Sequence, residues 1–548
     1  MIATTSLRTV AAAQASGARR SPQPSFSTLT LTPPRRGIDN RLLATEKCNG
    51  ADYTDSRASR KAGIERACRP GIAAMIGVVL GIGAIALPTA TRAQATSRPQ
   101  PDLPPLLRTE GRHFVDRQGR VVILRGVNLS GDAKVPPFLP CTSPADLDRM
   151  AELGFNVVRM LFIWEAYEPV AGVYNDGYLV QLQSVAAAAS ARGIHVIVDI
   201  HQDGFSRHAS RGAGDGFPRW AVSPRGNPSN PDNTARCKNW AVMMATDPTT
   251  HRSFDDFYAN ARGARTRYLL MLGRISGAFA QTPGVIGYDL LNEPWGDERR
   301  ELAPLYRDAA EIVRAQHPGC ILFLEGHVTT NCGIATRLPR PNGGNVAYAP
   351  HYYHPLTIAL DRWHGMKLGM KRAFGSMTAT VREWNAPLFV GEFGVSAEAR
   401  NAGAYMAAIY DRMDACLASG AQWNYSPRWN DRDKDGWNGE DFSILDSNGA
   451  VRSNFRPRPY PRHTAGVPLA FGFDDGRSSG ARPSLVFTWD HRPELGATEI
   501  FIPNTVFPPG STIEASASGL TFQRDEARQL LVCQGQERMT VTVQIRVP

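Results

Sequence analysis

The sequence predicts a (β/α)8 TIM barrel followed by a small C-terminal antiparallel β-sandwich. Three observations predict it. From residue 110 to about 455, short apolar runs of strand length alternate with stretches of helical spacing, as parallel strands joined by crossover helices require. No Gly-rich phosphate turn follows the first strand, which argues against an open doubly wound sheet. After Gly466 the helical spacing stops, and strand-like runs between turn markers take over.

In chain order, Val121-Val-Ile-Leu-Arg-Gly-Val-Asn128 is the first strand; Pro144 to Leu153 has helical spacing and stops at Gly154; Asn156-Val-Val-Arg-Met-Leu-Phe162 is the second strand. A helix from Tyr178 to Arg192 precedes the third, Ile194-His-Val-Ile-Val-Asp-Ile200. A Gly- and Pro-rich insertion from about Gly204 to Pro248 and a helix through Tyr268 to Phe279 lead into the fourth, Val285-Ile-Gly-Tyr-Asp-Leu-Leu291. The helix Leu302 to Gln316 and the strands Ile321-Leu-Phe-Leu324 and Val346-Ala-Tyr-Ala349 come next. A helix through Met377 to Trp384, Leu388-Phe-Val390, a helix from Ala402 to Ser419 and Ala421-Gln-Trp-Asn-Tyr425 complete the eight units. The sandwich is expected from six later runs, Leu469–Phe473, Ser484–Trp489, Thr498–Ile502, Thr512–Ser516, Gln529–Cys533 and Met539–Ile545, with Asp474-Asp-Gly476 and Pro508-Pro-Gly510 as turns. The expected boundaries are 1–95 for a disordered head and signal peptide, 96–107 for a linker, 108–462 for the barrel and 463–548 for the sandwich.

The formal charge of +10 comes largely from arginines before residue 100, among them Arg19, Arg20, Arg35, Arg36, Arg57, Arg60, Arg66 and Arg69. The rest is mildly basic and lacks a stripe of interleaved cations and aromatics, so nucleic acid is excluded as a partner. The apolar run Ile72 to Leu87, introduced by Arg66, Arg69 and Pro70 and followed by Ala93-Gln-Ala95, reads as a signal peptide over about 69–95 and predicts a secreted or periplasmic chain. An uncleaved membrane anchor is the competing reading, and Pro88 with the small residues after it argues against it. The Ser-, Thr- and Arg-rich stretch before it is long for the lead of a signal peptide, as though the start had been placed too far upstream. Six cysteines follow the head (Cys141, Cys237, Cys320, Cys332, Cys416 and Cys533), disulfide candidates in an exported chain with fifteen possible pairings, of which Cys320 with Cys332 is the favoured local pair and buried thiols are the alternative. No histidine cluster sits at zinc-ligand spacing beside them, so no metal is expected.

Two segments carry the chemistry. Gly284-Val-Ile-Gly-Tyr-Asp-Leu-Leu-Asn-Glu-Pro294 and Leu388-Phe-Val-Gly-Glu-Phe-Gly394 are apolar strands that stop at a glutamate. Buried parallel strands deliver such residues to the carboxyl end of the sheet, and two carboxyl groups in different environments are the equipment of glycoside hydrolysis. Other polar residues fall at matching strand ends: Arg159, His201 with Asp203, Asn292, His351 with Tyr353, and Trp423. The carboxyl face of a barrel is where side chains from distant strands converge.

These segments resemble family 5 of the glycoside hydrolases, and more closely its endoglycoceramidase branch, over nearly everything after residue 108. The resemblance rests on Arg125-Gly-Val-Asn with Lys134-Val-Pro-Pro, Asp199-Ile-His-Gln-Asp-Gly-Phe-Ser-Arg207 and Gly214-Asp-Gly-Phe-Pro-Arg-Trp220. It rests equally on Leu291-Asn-Glu-Pro-Trp295, Gly391-Glu-Phe-Gly394, Trp423-Asn-Tyr with Asp435-Gly-Trp-Asn-Gly-Glu-Asp-Phe-Ser443, and Arg458-Pro-Tyr-Pro-Arg462. It implies Glu293 as acid/base and Glu392 as nucleophile of a retaining double displacement, with Arg159 and His351 or Tyr353 supporting the nucleophile and Asn292 bonding the sugar 2-hydroxyl. Lys134, His201 and Asp203 would hold sugar hydroxyls over a Trp423 floor. The implied substrate is a glycolipid or another glycoside with an apolar aglycone, ceramide first. A steryl glucoside, a soluble glucan or a non-catalytic carbohydrate-binding role are the alternatives. No metal or organic cofactor is implied, and the chain is expected to be a monomer touching membranes or micelles transiently. Phe138, Phe205, Phe217, Trp220, Trp240 and Trp363 are candidates for an apolar groove beside the cleft. Gly204-Phe205 departs from the branch, which has a larger residue followed by an aromatic there. The sandwich is expected to be a packing module, with a carbohydrate- or lipid-contacting role as the alternative.

Overall fold

The computed structural model describes residues 106–547 except 141, 210, 211, 227–239 and 478. The expected head and signal peptide, Cys141 and Cys237 lie outside the described residues. The first strands are short: β1 (Leu107–Glu110), β2 (His113–Asp116), β3 (Val121–Val122) and β4 (Arg125–Leu129). The predicted first strand is thus two strands serving two cores. Ile123 packs with Tyr460, Phe501 and Leu530 of the C-terminal sheet, whereas Leu124 joins the floor of the barrel.

The barrel continues through β5 (Val157–Ile163), β6 (His195–His201), β7 (Val285–Asp289), β8 (Ile321–Leu324), β9 (Val346–Tyr348), β10 (Phe389–Val390) and β11 (Ser419–Tyr425). These strands and β4 run parallel in the order β10-β11-β4-β5-β6-β7-β8-β9, and a parallel bridge from Tyr348 to Leu388 joins the two ends. Their side chains are buried on both faces, which is why they read as unbroken apolar runs. Phe114 of β2 stacks on Phe323 with ring centres 6.0 Å apart, and the β1–β2 hairpin closes the amino end of the barrel against Ile197, Ile286 and Phe389. The opposite, carboxyl end is left for the site.

Helix boundaries shift where local chemistry overrides spacing. The last predicted barrel helix ends at Ala415 rather than Ser419, because Leu417 takes a left-handed turn (φ 51°) and Ser419 already starts β11. The helix predicted from Met377 begins at Lys367, since Met370, Ala373, Phe374 and Met377 form one buried stripe despite Gly369 and Gly375.

Two antiparallel sheets follow: β12 (Tyr460–Thr464), β13 (Gly466–Asp474), β14 (Ser484–His491), β15 (Thr498–Phe501), β16 (Thr512–Ala515), β17 (Leu520–Asp525), β18 (Leu530–Gly535) and β19 (Met539–Arg546). Their orders are β1-β2-β3-β12-β15-β18-β17 and β13-β14-β19-β16, so the amino-terminal hairpin extends the C-terminal sheet. Alternate residues of β14 and β19 (Leu485, Phe487, Trp489; Val541, Val543, Ile545) fill the core with Ile500, Leu531 and Cys533.

The expected Cys320–Cys332 disulfide is absent. Both are free thiols, as are Cys416 and Cys533. Cys320 precedes β8 and Cys332 lies beyond its other end, and four strand residues at about 3.3 Å each separate them far beyond disulfide reach.

Candidate active site

Each of the predicted site residues reaches the carboxyl end of the barrel. Arg159 points inward from β5, His201 ends β6 with Asp203 just after it, and Trp423 lies in β11. Asn292 and Glu293 follow β7, His351 and Tyr353 follow β9, Glu392 follows β10, and Lys134 ends the short turn Gly131–Lys134 after β4.

Arg159 is the hub. Its guanidinium is fully buried and donates to Glu392 Oε1 (2.8 Å), Asp199 Oδ1 (2.9 Å), Asp289 Oδ2 (3.0 Å), Glu325 Oε1 (3.2 Å), Asn292 Oδ1 (2.8 Å) and Asn128 Oδ1 (3.1 Å). Tyr353 donates its hydroxyl to the other oxygen of Glu392 at 2.9 Å. Both oxygens of Glu392 thus accept hydrogen bonds, one from a guanidinium and one from a phenol.

Glu293 has a different environment. It touches no arginine, and His351 Nδ1 lies 2.7 Å from its Oε1. Burial, reinforced by the charges of Glu392 and Asp203 and opposed by His351, pushes its pKa up to about 7. One oxygen of Glu293 and one of Glu392 lie within 4.8 Å of each other and of a His351 nitrogen. That is the close spacing of a retaining pair, about 5 to 5.5 Å between carboxyl groups, and too tight for the water an inverting pair holds.

His351 is packed against the chain beside Glu392. A Cβ on Gly391 would lie 2.9 Å from the His351 ring, so glycine at this position allows the close approach. Glu293 itself adopts a left-handed backbone (φ 39°), an unusual conformation for a non-glycine residue, at the turn that ends in Pro294.

A second cluster lies beside the pair. Lys134 Nζ is 2.5 Å from Asp203 Oδ2 and 3.6 Å from Glu440 Oε2, and it sits 4.3 Å and 4.1 Å above the rings of Trp423 and Trp437. His201 Nδ1 is 2.7 Å from Asp199 Oδ2, and its ring stacks on Trp423 at 5.7 Å and 2°. Burial opposes the imidazolium of His201, but Asp199 and Asp203 outweigh it and lift the pKa to about 10. Burial also works against ionised Asp203, yet Lys134 and His201 win and hold it far below the usual carboxylate range. Asp215 is driven well up by burial and by Asp203. The cluster is a polar wall beside an indole face, which is the composition of a sugar subsite.

Three groups place a histidine and two carboxyls within 4.8 Å: His201 with Asp203 and Asp215, His351 with Asp289 and Glu325, and His351 with Glu293 and Glu392. In each, neighbouring carboxylates outweigh burial and favour the protonated imidazole.

The aromatic residues assigned to a groove are mostly core. Phe205 and Phe217 stack at 4.1 Å and pack with Phe254, Phe257 and Tyr268, while Trp363 is buried against Tyr405. Phe138 is buried as well, and Trp220, partly exposed, donates its indole N–H to the carbonyl of Glu168. The side chain of Trp240 lies outside the described residues. Residues absent from the predicted set include Asp199, Asp289, Glu325, Asp215 and Glu440. Each had a signal: Asp199 and Asp289 are acids inside apolar strands, Glu325 ends the run Ile321-Leu-Phe-Leu324, and Asp215 and Glu440 stand in quoted motifs.

The model of the cellulase family (glycosyl hydrolase family 5) matches residues 115–428, more than half of the chain. The chain belongs to glycosyl hydrolase family 5. The family 5 C-terminal domain matches residues 458–547, the two antiparallel sheets. Over 472 residues this family 5 chain is 27% identical to endoglycoceramidase I of Rhodococcus hoagii (strain 103S), covering 80% of this chain and 88% of that relative. Among solved structures, endo-glycoceramidase II from Rhodococcus sp., as its lactosyl-enzyme intermediate, is similar with a TM-score of 0.66 and 25% identity, over 80% of this chain and 100% of that one. Sterylglucosidase 1 of Cryptococcus neoformans shares the fold, with a TM-score of 0.68 at 17% identity over 80% of this chain and 97% of that one.

Proposed function

We propose that this family 5 glycoside hydrolase is a retaining β-glycosidase that cuts the bond between a sugar or oligosaccharide and an apolar aglycone, ceramide first. The observation that carries the mechanism is the asymmetry of the close pair: Glu392 is clamped by Arg159 and Tyr353, while Glu293 is buried with a pKa near 7. Ionised Glu392 attacks the anomeric carbon as Glu293 gives its proton to the departing aglycone oxygen, leaving a glycosyl ester on Glu392. Glu293, now ionised, takes a proton from water, which attacks the same carbon, breaks the ester and retains the configuration.

Lys134, His201 and Asp203 bond hydroxyls of the sugar bound against Trp423, with protonated Asp215 as a further donor. Asn292 gives one N–H to the carbonyl of Gln202, and its contact with Asp203 Oδ1, 3.5 Å away, is long enough for the sugar 2-hydroxyl to compete. The apolar aglycone is supported by the endoglycoceramidase relatives and by the loops after β8 and β9, where Ile334, Leu356, Leu360 and Leu368 are 51–63% exposed. Transient contact with a lipid surface fits those leucines.

Sugar release from glucosylceramide, a ganglioside, a steryl glucoside and cellotetraose, measured side by side, tests the reading. A ceramide-linked substrate should be cleaved with the highest kcat/KM. Preference for cellotetraose would overturn the apolar aglycone, and preference for the steryl glucoside would replace ceramide with a sterol.

A further inference from the structure

Glu325 is a buried carboxylate that the double displacement does not use. It follows β8 and faces three partners that matter to the reaction. Its Oε2 accepts the backbone N–H of Glu293 at 3.0 Å, its Oε1 lies 3.1 Å from His351 Nε2, and the same Oε1 accepts from Arg159 at 3.2 Å. Its own backbone carbonyl is held by the hydroxyl of Tyr306 at 3.1 Å, which anchors it to the helix Ala303–Gln316.

The ring of His351 therefore lies between two carboxyl groups, Glu293 on Nδ1 (2.7 Å) and Glu325 on Nε2 (3.1 Å). Glu325 also accepts from the guanidinium of Arg159. An imidazole beside a permanent anion keeps its proton on the nitrogen that faces that anion. His351, which neighbouring carboxylates hold protonated, thus pairs through the charge of its ring with Glu325 on the Nε2 side and hydrogen-bonds Glu293 on the Nδ1 side. The protonated ring donates Nδ1–H to Glu293 both when Glu293 carries a proton and when it has given that proton to the leaving group. The same Glu325 side chain also satisfies the peptide N–H of Glu293 in its left-handed turn, so it sets both the backbone and the ring that aim the Glu293 carboxyl.

We infer that Glu325 is a positioning residue for the acid/base work of Glu293, acting through its ion pair with the His351 ring and its hydrogen bond from the peptide N–H of Glu293. The inference rests on the assignment of Glu293 as acid/base. Glu293 and His351 titrate as a coupled pair, and the first proton that the pair loses is the one Glu293 donates. Replacing Glu325 by glutamine keeps an acceptor for the Glu293 peptide but removes a buried negative charge from beside that pair. Proton loss then becomes easier.

The experiment compares the wild type and Glu325→Gln on octyl β-lactoside, whose leaving group needs protonation, and on 2,4-dinitrophenyl β-lactoside, whose leaving group does not. In Glu325→Gln the alkaline limb of kcat/KM for the octyl substrate should move to lower pH by about 1–3 units, the range a close charge produces. Its loss at pH 7.5 should exceed the loss on the dinitrophenyl substrate at least tenfold. Equal losses on both substrates with an unmoved pH profile would reduce Glu325 to scaffolding, and unchanged kinetics would remove its role altogether. Wild type inert on both lactosides would instead overturn the glycosidase reading. Nitrogen-15 spectra of histidine-labelled wild-type protein give a test that needs no variant: both ring nitrogens of His351 should stay protonated from pH 5 to 9, and a ring that loses a proton in that range would overturn the inference.

Discussion

Glu293→Gln should stabilise the protein at alkaline pH, although it disables the proposed acid. The folded chain holds the Glu293 carboxyl near a pKa of about 7, against 4.5 in a solvated chain, with burial the main cause. The protonated side chain is the better folded one, so its contribution is intact below 4.5 and is lost as the pH rises through about 7. Each pH unit of that window is worth about 1.4 kcal/mol, so ionised Glu293 weighs against the fold by about 3 kcal/mol at pH 8. Glutamine has nearly the same shape, can still accept from His351 Nδ1, and never ionises. Asp435, which burial also raises to about 7, titrates alike in both proteins and cancels from the comparison. Urea unfolding of the wild type and of Glu293→Gln at pH 5, 6, 7 and 8 measures the difference. The stability of the variant relative to the wild type should rise by about 2.5 kcal/mol from pH 5 to pH 8. A difference independent of pH would mean that Glu293 ionises like a solvated glutamate, and the assignment of the acid would fall with it.

Other outcomes follow from the same geometry. Incubation with a 2-deoxy-2-fluoro β-glycoside carrying a dinitrophenyl leaving group should trap the sugar on the peptide containing Glu392; mass spectrometry that placed it on any other carboxyl would reassign the nucleophile. Tyr353→Phe removes the hydroxyl that donates to Glu392 Oε2, a hydrogen bond to a charged group, and should lower kcat/KM about 10- to 100-fold with little change in the unfolding midpoint. Gly391→Ala forces a methyl to within 2.9 Å of the His351 ring, so activity should fall by more than an order of magnitude while the far-ultraviolet spectrum is retained. In thiol titration of the native protein, exposed Cys332 should react quickly and buried Cys320 and Cys533 only on unfolding; a fast reaction at Cys320 would contradict its packing beside β8.

The barrel and most of the site were legible because its strands are buried on both faces. Such a strand reads as an apolar run that breaks into polar residues at its carboxyl end, which is how Glu293, Glu392, His201 and His351 stand out. Glu325 ends β8 in the same way, but only the fold shows that it meets His351 and Arg159. The β1–β2 hairpin was not legible, because four-residue strands offer too few positions for a period and the partners of Phe114 lie some two hundred residues away. Phe205 and Phe217 show another limit. An aromatic in a loop over a site has the same sequence signature whether it lines the cleft or, as here, stacks in the core beneath it.

The asymmetry of the pair follows from a shortage of cations. The polar side chains gathered at the site carry four, Lys134, Arg159, His201 and His351, against eight carboxyl groups: Asp199, Asp203, Asp215, Asp289, Glu293, Glu325, Glu392 and Glu440. A buried site cannot hold so large an excess of negative charge, so about half of the carboxyls must keep their protons. The four that burial raises are Asp215, Asp289, Glu293 and Glu440. Of these, Asp215 and Glu440 border the sugar subsite, and Asp289 lies against Arg159 within the barrel. Glu293 alone among them lies within reach of both Glu392 and His351, so it is where a retained proton can be passed to a leaving group. Arg159 is thus the residue that sorts the acids. It pairs with Glu392 and leaves Glu293 without an arginine, and the proposed division of labour between nucleophile and acid comes from where that one guanidinium points.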